Sequence, residues 1–155
     1  MEPNEIQSAL ASAVEEVLET MCFASVLASA EAAVPPELGC AAPAFTAELH
    51  FQGNPSGGFR LGVPMKLARV LGAGFLGLEE TEVSDSRAEE VVCELANMIC
   101  GSILSGLECK ATFQITHPEL APPKQSVSFA GAAASRWFDL ENGFLTASLQ
   151  LEQPV

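Results

Sequence analysis

The stretch that most limits what this chain can become runs from Ser84 to Leu104 and reads as one amphipathic helix. At about 100° per residue, Ala88, Val92, Leu95, Ile99 and Ile103 share a single apolar stripe, so that side must face a core. Opposite it, Glu90, Glu94, Asn97 and Gly101 follow one another at spacings of four, three and four, which places them in one row turned away from the core. Packing alone does not require a carboxylate and a carboxamide side by side in the open. A mid-helix glycine costs about 1 kcal/mol relative to alanine, and Gly101 leaves a bare patch beside Asn97 where another backbone or a ligand can come close. Asp85 or Ser86 can cap the first amides, with Glu89 at roughly the spacing of a capping box.

The remaining pattern supplies the partners that such a helix needs. Asn4 can cap a first helix whose apolar positions Ile6, Leu10, Ala13, Val14, Val17, Leu18 and Met21 recur at helical spacing, and which is expected to reach Ala30. Pro35, Pro36 and Gly39 then break the chain, and Cys40 to Pro43 forms a loop. Phe45, Ala47, Leu49 and Phe51 alternate with Thr46, Glu48, His50 and Gln52 as a half-buried strand. A turn over 53–58 leads to the returning strand marked by Phe59, Leu61 and Val63. Pro64 opens a short helix through Leu71, which Gly72 to Gly77 is expected to end. After the central helix, expected to reach Leu107, Lys110 to His117 alternates again, Pro118 to Pro123 is a loop, and Lys124 to Phe129 pairs weakly. Ser135 to Leu140 and Phe144 to Glu152 make the clearest hairpin, joined by Glu141-Asn142-Gly143. Trp137 and Phe138, being adjacent, face opposite sides, so one of them belongs to the core.

The fold class that follows is α+β: two long helices packed side by side on one face of an antiparallel β-sheet, in two halves that repeat each other. A chain of 155 residues that is 48% hydrophobic is enough for one core, so residues 1–155 are read as a single domain. Against 7 Lys and Arg stand 20 Asp and Glu, and the net charge of −13 opposes binding to nucleic acid or to an anionic membrane surface. Glu2 and Glu5 replace a basic leader, and no apolar run approaches the roughly 20 residues of a span, so a cytoplasmic protein is expected.

Other apparent signals carry little. The five cysteines are odd in number and contain no C-x-x-C pair, so neither a disulfide framework nor a zinc site is indicated, and Cys93 and Cys100 read as packing residues. Gly72 to Gly77 spells G-x-G-x-x-G, but a helix precedes it where a dinucleotide site needs a strand. His50 and His117 lie on separate strands with no ligand set around them, and Ser102 and Ser105 lack a histidine base.

Glu94-Leu95-Ala96-Asn97-Met98-Ile99-Cys100-Gly101 resembles the E-x-x-N signature, continued by a glycine four residues on, of the CheC/CheX/FliY group of chemotaxis phosphatases. The coarse order of elements and the Leu18-Glu19-Thr20-Met21 ending of the first helix are similar to the CheX form, which has one such helix per chain. Glu15 to Glu19 offers carboxylates but no asparagine at the matching spacing, so one active face is expected. The resemblance implies hydrolysis of the aspartyl phosphate of a CheY-like response regulator. Asn97 would hold the attacking water and Glu94 would clamp a receiver lysine, with Glu90, Met98 and Gly101 touching the partner. It also implies that Mg²⁺ is carried by the receiver, that this chain binds no cofactor or metal, and that two copies form a homodimer through sheet edges in the C-terminal half. A non-catalytic module docking on a response regulator or the flagellar switch is the alternative.

Overall fold

The computed structural model describes residues 3–31, 45–53, 56–106, 114–120 and 133–152. The segments read above as the 40–43 loop, the first part of the 110–117 strand and the weak 124–129 pairing lie outside these residues, as do Cys40, Leu107 and Cys109.

Three helices, α1 (Pro3–Cys22), α2 (Met65–Leu76) and α3 (Asp85–Gly106), pack on one antiparallel sheet. The strands are β1 (Ala28–Glu31), β2 (Phe45–Gln52), β3 (Ser56–Val63), β4 (Gln114–Ile115), β5 (Glu119–Leu120), β6 (Ala134–Leu140) and β7 (Gly143–Glu152). Their spatial order is β1-β6-β7-β3-β2-β4, with β5 also on β2. The hairpins β2–β3 and β6–β7 each follow a long helix and meet through their second strands, where Phe59 pairs Leu149 and Leu61 pairs Ala147. That join is how the two similar halves become one sheet with one core.

The core forms because each element turns its apolar period to the same layer. Phe45, Ala47, Leu49 and Phe51, then Phe59, Leu61 and Val63, then Leu145, Ala147 and Leu149 are all buried toward the helices. The stripe Ala88, Val92, Leu95, Ile99 and Ile103 is wholly buried on top of them. Phe138 is the core member of the aromatic pair; Trp137, on the other face, meets the Phe144 ring edge-on at 5.7 Å. Across that outer face Glu48 bridges Arg60 at 3.0 Å and Ser135 bonds Ser148 at 3.0 Å.

Four local expectations are corrected. The first helix stops at Cys22, eight residues short of Ala30, because Phe23 takes a left-handed backbone (φ 56) and the Ala24 N–H turns back to the Leu18 carbonyl. Residues 28–31 instead pair with β6, and Arg136 fastens this edge by donating to Gln7 Oε1 and Ser29 Oγ. The second helix runs through Gly72 and Gly74 to Leu76 and ends on the left-handed Gly77. Within the expected loop after Pro118, Glu119 and Leu120 pair with β2, and at β4 Ile115 is 36% exposed despite the apolar alternation. The cap of α3 is Ser84, whose Oγ accepts from the Arg87 N–H, while Asp85 pairs with Arg69 of α2.

Gly74 explains why the glycine motif sits inside a helix: a Cβ there would stand 2.2 Å from the Cys22 carbonyl oxygen, so only glycine lets α1 and α2 touch. Gly74→Ala is expected to lose about 2–3 kcal/mol of stability from forced overpacking, seen as a lower urea midpoint. Phe23 is 83% exposed, so Phe23→Gly should relieve its backbone at little contact cost and raise stability by about 0.5–1 kcal/mol.

Burial pushes the Cys22 and Cys100 thiols up to about 12 from an ordinary value of 9.0, so both stay protonated in the folded chain. Cys93 is also raised, chiefly by burial and then by the charges of Glu89 and Glu94. Because the unfolded thiols lose their protons first, the stabilisation is complete below pH 9 and is lost as pH climbs toward about 12. Native protein titrated with a thiol reagent at about pH 8 should leave Cys22 and Cys100 unmodified until it is unfolded.

Candidate functional site

Helix α3 is held from beneath and at its start. Its buried side rests on β2 and β3, its first turn is fixed by the Ser84 cap and the Asp85–Arg69 pair, and Val83 and Val91 close over Gly72 of α2. A helix clamped in this way cannot roll, so its outer row keeps one orientation.

That row is where the spacing placed it. Glu90, Glu94 and Asn97 are exposed in succession on the surface of α3. Gly101 is half-exposed, and a Cβ built there would meet nothing within 4 Å, so the missing side chain leaves open space. Met98, next to Asn97, is half-buried against the core and borders the row as an apolar flank. Cys93 and Cys100, on either side, pack rather than react. Ser102 and Ser105 have no histidine beside them; His50 pairs with Glu48 on the far side of β2, and His117 is exposed after β4.

Chemically, the row offers a neutral donor–acceptor and an anion one turn apart. The Asn97 carboxamide can accept from a water and donate to an oxygen at once, while the Glu94 carboxylate can take a cation in a charge-assisted bond. No ion pair among the described residues engages Glu90 or Glu94.

One surface feature beside the row was missed from the sequence. Helices α1 and α3 pack together, and the first two-thirds of α1 and the end of α3 enclose a groove of about 750 Å³ lined by Glu5, Ser8, Ser12, Glu16, Ser102 and Ser105, among others. The polar positions of α1 were legible one by one, but nothing in the pattern tells which of them face another helix.

The comparisons with known proteins agree with this architecture. The family described as chemotaxis phosphatase CheX matches residues 45–135, a span that includes the α3 row. A CheX chemotaxis protein from Desulfovibrio desulfuricans is similar in structure, with a TM-score of 0.74 at 21% identity over 96% of this chain and 99% of that one. The CheX of Vibrio vulnificus gives 0.74 at 16% identity over 98% and 99%. The CheX–CheY–BeF3–Mg²⁺ complex from Borrelia burgdorferi gives 0.71 at 17% identity over 94% and 97%. No curated protein sequence matches the chain. With the family match extending over more than half of its length, this chain belongs to the chemotaxis phosphatase CheX family.

Proposed function

We propose that the exposed row of α3 hydrolyses the aspartyl phosphate of a CheY-like receiver domain, with Asn97 and Glu94 as the working residues. The observation that carries the proposal is a carboxylate and a carboxamide one turn apart on an exposed face, beside the open patch at Gly101, on a helix whose other side is fully buried. Family membership and the similarity to a CheX in complex with CheY support the choice of partner.

Acyl-phosphate hydrolysis through a loose transition state needs positioning more than a strong base. The receiver's aspartyl P–O bond breaks, the water oxygen forms the new bond to phosphorus, and the aspartate leaves as a carboxylate while both protons of the water go with the phosphate, released as H2PO4⁻. Asn97 accepts from the water O–H through its carbonyl and donates from its amide to a neighbouring oxygen. Being neutral, it does not repel the phosphoryl group. Glu94, one turn earlier, binds the ammonium of a receiver lysine and so fixes where Asn97 stands over the phosphorus.

In this reading the Mg²⁺ of the reaction belongs to the receiver; the Borrelia complex contains BeF3 and Mg²⁺ together with CheX and CheY. Residues 1–155 act as one phosphatase domain, and two copies pair through sheet edges. Among the described strands β1 covers the outer edge of β6, so the edges left in the C-terminal half are those of β4 and β5.

The test is phosphate release from a phosphorylated receiver. Asn97→Ala should lower the accelerated rate about 100-fold or more while thermal stability changes by no more than about 0.5 kcal/mol, as for an exposed position. Unaltered release would overturn the assignment, and tight binding with no acceleration by the wild-type chain would identify a docking module instead. Gly101→Leu separates clearance from folding: it should stabilise the helix by about 0.8 kcal/mol and yet depress the rate.

A further inference from the structure

We propose that the groove between α1 and α3 is a second part of the receiver-docking surface, and that it takes a Lys- or Arg-bearing segment of the receiver whose phosphoaspartate lies over Asn97. This rests on the phosphatase reading above and adds a surface to it on a helix that carries none of the signature residues.

Position is the first argument. One more step of four along the α3 row, from Gly101, reaches Ser105, which lines the groove with Ser102 and Gly106. A partner seated on Asn97 and passing over the clear patch at Gly101 therefore meets the groove without a break in the surface. Gly106 extends the opening, because a Cβ there would again meet nothing within 4 Å.

Chemistry is the second. Glu5, Glu16 and four serine hydroxyls share the lining with Ala9 and Ala13, a mix that suits the apolar stem and cationic head of a Lys or Arg side chain. Glu5 and Glu16 stand near the two ends of the α1 wall, and a rise of 1.5 Å per residue puts them roughly 16 Å apart along the helix. No ion pair among the described residues engages either of them, and α1 carries no Lys or Arg at all.

Charge selects the occupant. A second copy of this chain would bring another −13 to an acidic groove, whereas a basic segment is drawn to it, with the gain falling on encounter rate and orientation more than on final affinity. The groove residues do not touch the reacting atoms, so they act on binding and leave the chemical step alone.

The experiment titrates a beryllofluoride-activated, Mg²⁺-loaded CheY-like receiver into the full chain by fluorescence anisotropy, at two salt concentrations, with circular dichroism melts as the folding control. The double variant Glu5→Lys/Glu16→Lys should weaken binding about tenfold and flatten its salt dependence. Ser12→Trp, which fills the groove without changing charge, should weaken binding by a similar factor and keep the salt dependence. In turnover both should raise KM with kcat within about twofold of wild type, whereas Asn97→Ala should lower kcat with binding retained. Groove variants that bind like wild type, or a wild-type chain that does not bind the activated receiver, would overturn the proposal. Full turnover by Asn97→Ala would instead overturn the phosphatase assignment, and the titration would still decide the groove.

Discussion

The structure depends on the contact between the buried stripe of α3 and the sheet. Ala88, Val92, Leu95, Ile99 and Ile103 are removed from solvent against the strand layer led by Leu49, Phe59 and Leu61. Burial of such side chains is worth about 1.5–3 kcal/mol each for the larger ones. The same contact sets the azimuth of the helix, because a rotation of even a few tens of degrees would lift part of the buried stripe out of the core and re-aim Asn97 by the same angle. Stability and site geometry are therefore one property here: the residues that hold the fold also aim the carboxamide.

Around that contact the helices divide the work. Helix α2 locks the end of the layer, with Gly74 against the Cys22 carbonyl and Gly72 beneath Val83 and Val91. Helix α1 lies alongside and supplies an acidic wall without a signature of its own. Under the proposed function this asymmetry between two otherwise similar halves follows from one face carrying the chemistry, which leaves the outer residues of the other long helix free to differ. The acidic surface also agrees with the proposed role of a neutral amide at the receiver's phosphoryl group: in that proposal the negative charge sits beside the reacting centre, where it can meet cations, and not on it.

Much of this was legible in the chain. Helical and alternating periods located both long helices, the β2–β3 and β6–β7 hairpins and the core side of each, and the four-three-four spacing put Glu90, Glu94, Asn97 and Gly101 on one face. Where the reading failed, a contact distant in sequence had overruled a local rule. Gly72 and Gly74 look like helix breakers and are instead the points where other segments press against α2. The polar side chain of Arg136 gives no sign that it ties α1 to β1. For Met98, read as a partner contact, the structure adds that it is half-buried against the core at the edge of the row.

The sequence by itself determined the class of fold, the buried side of every long element and the row on α3, because each depends only on the period of a regular backbone. Tertiary structure alone decided where the first helix stops, how the two hairpins join and which short strands flank them, and that α1 and α3 enclose a groove beside the row. Those outcomes depend on which surfaces fit together across the chain, and that fit is set by side-chain volumes and close approaches that no local spacing encodes.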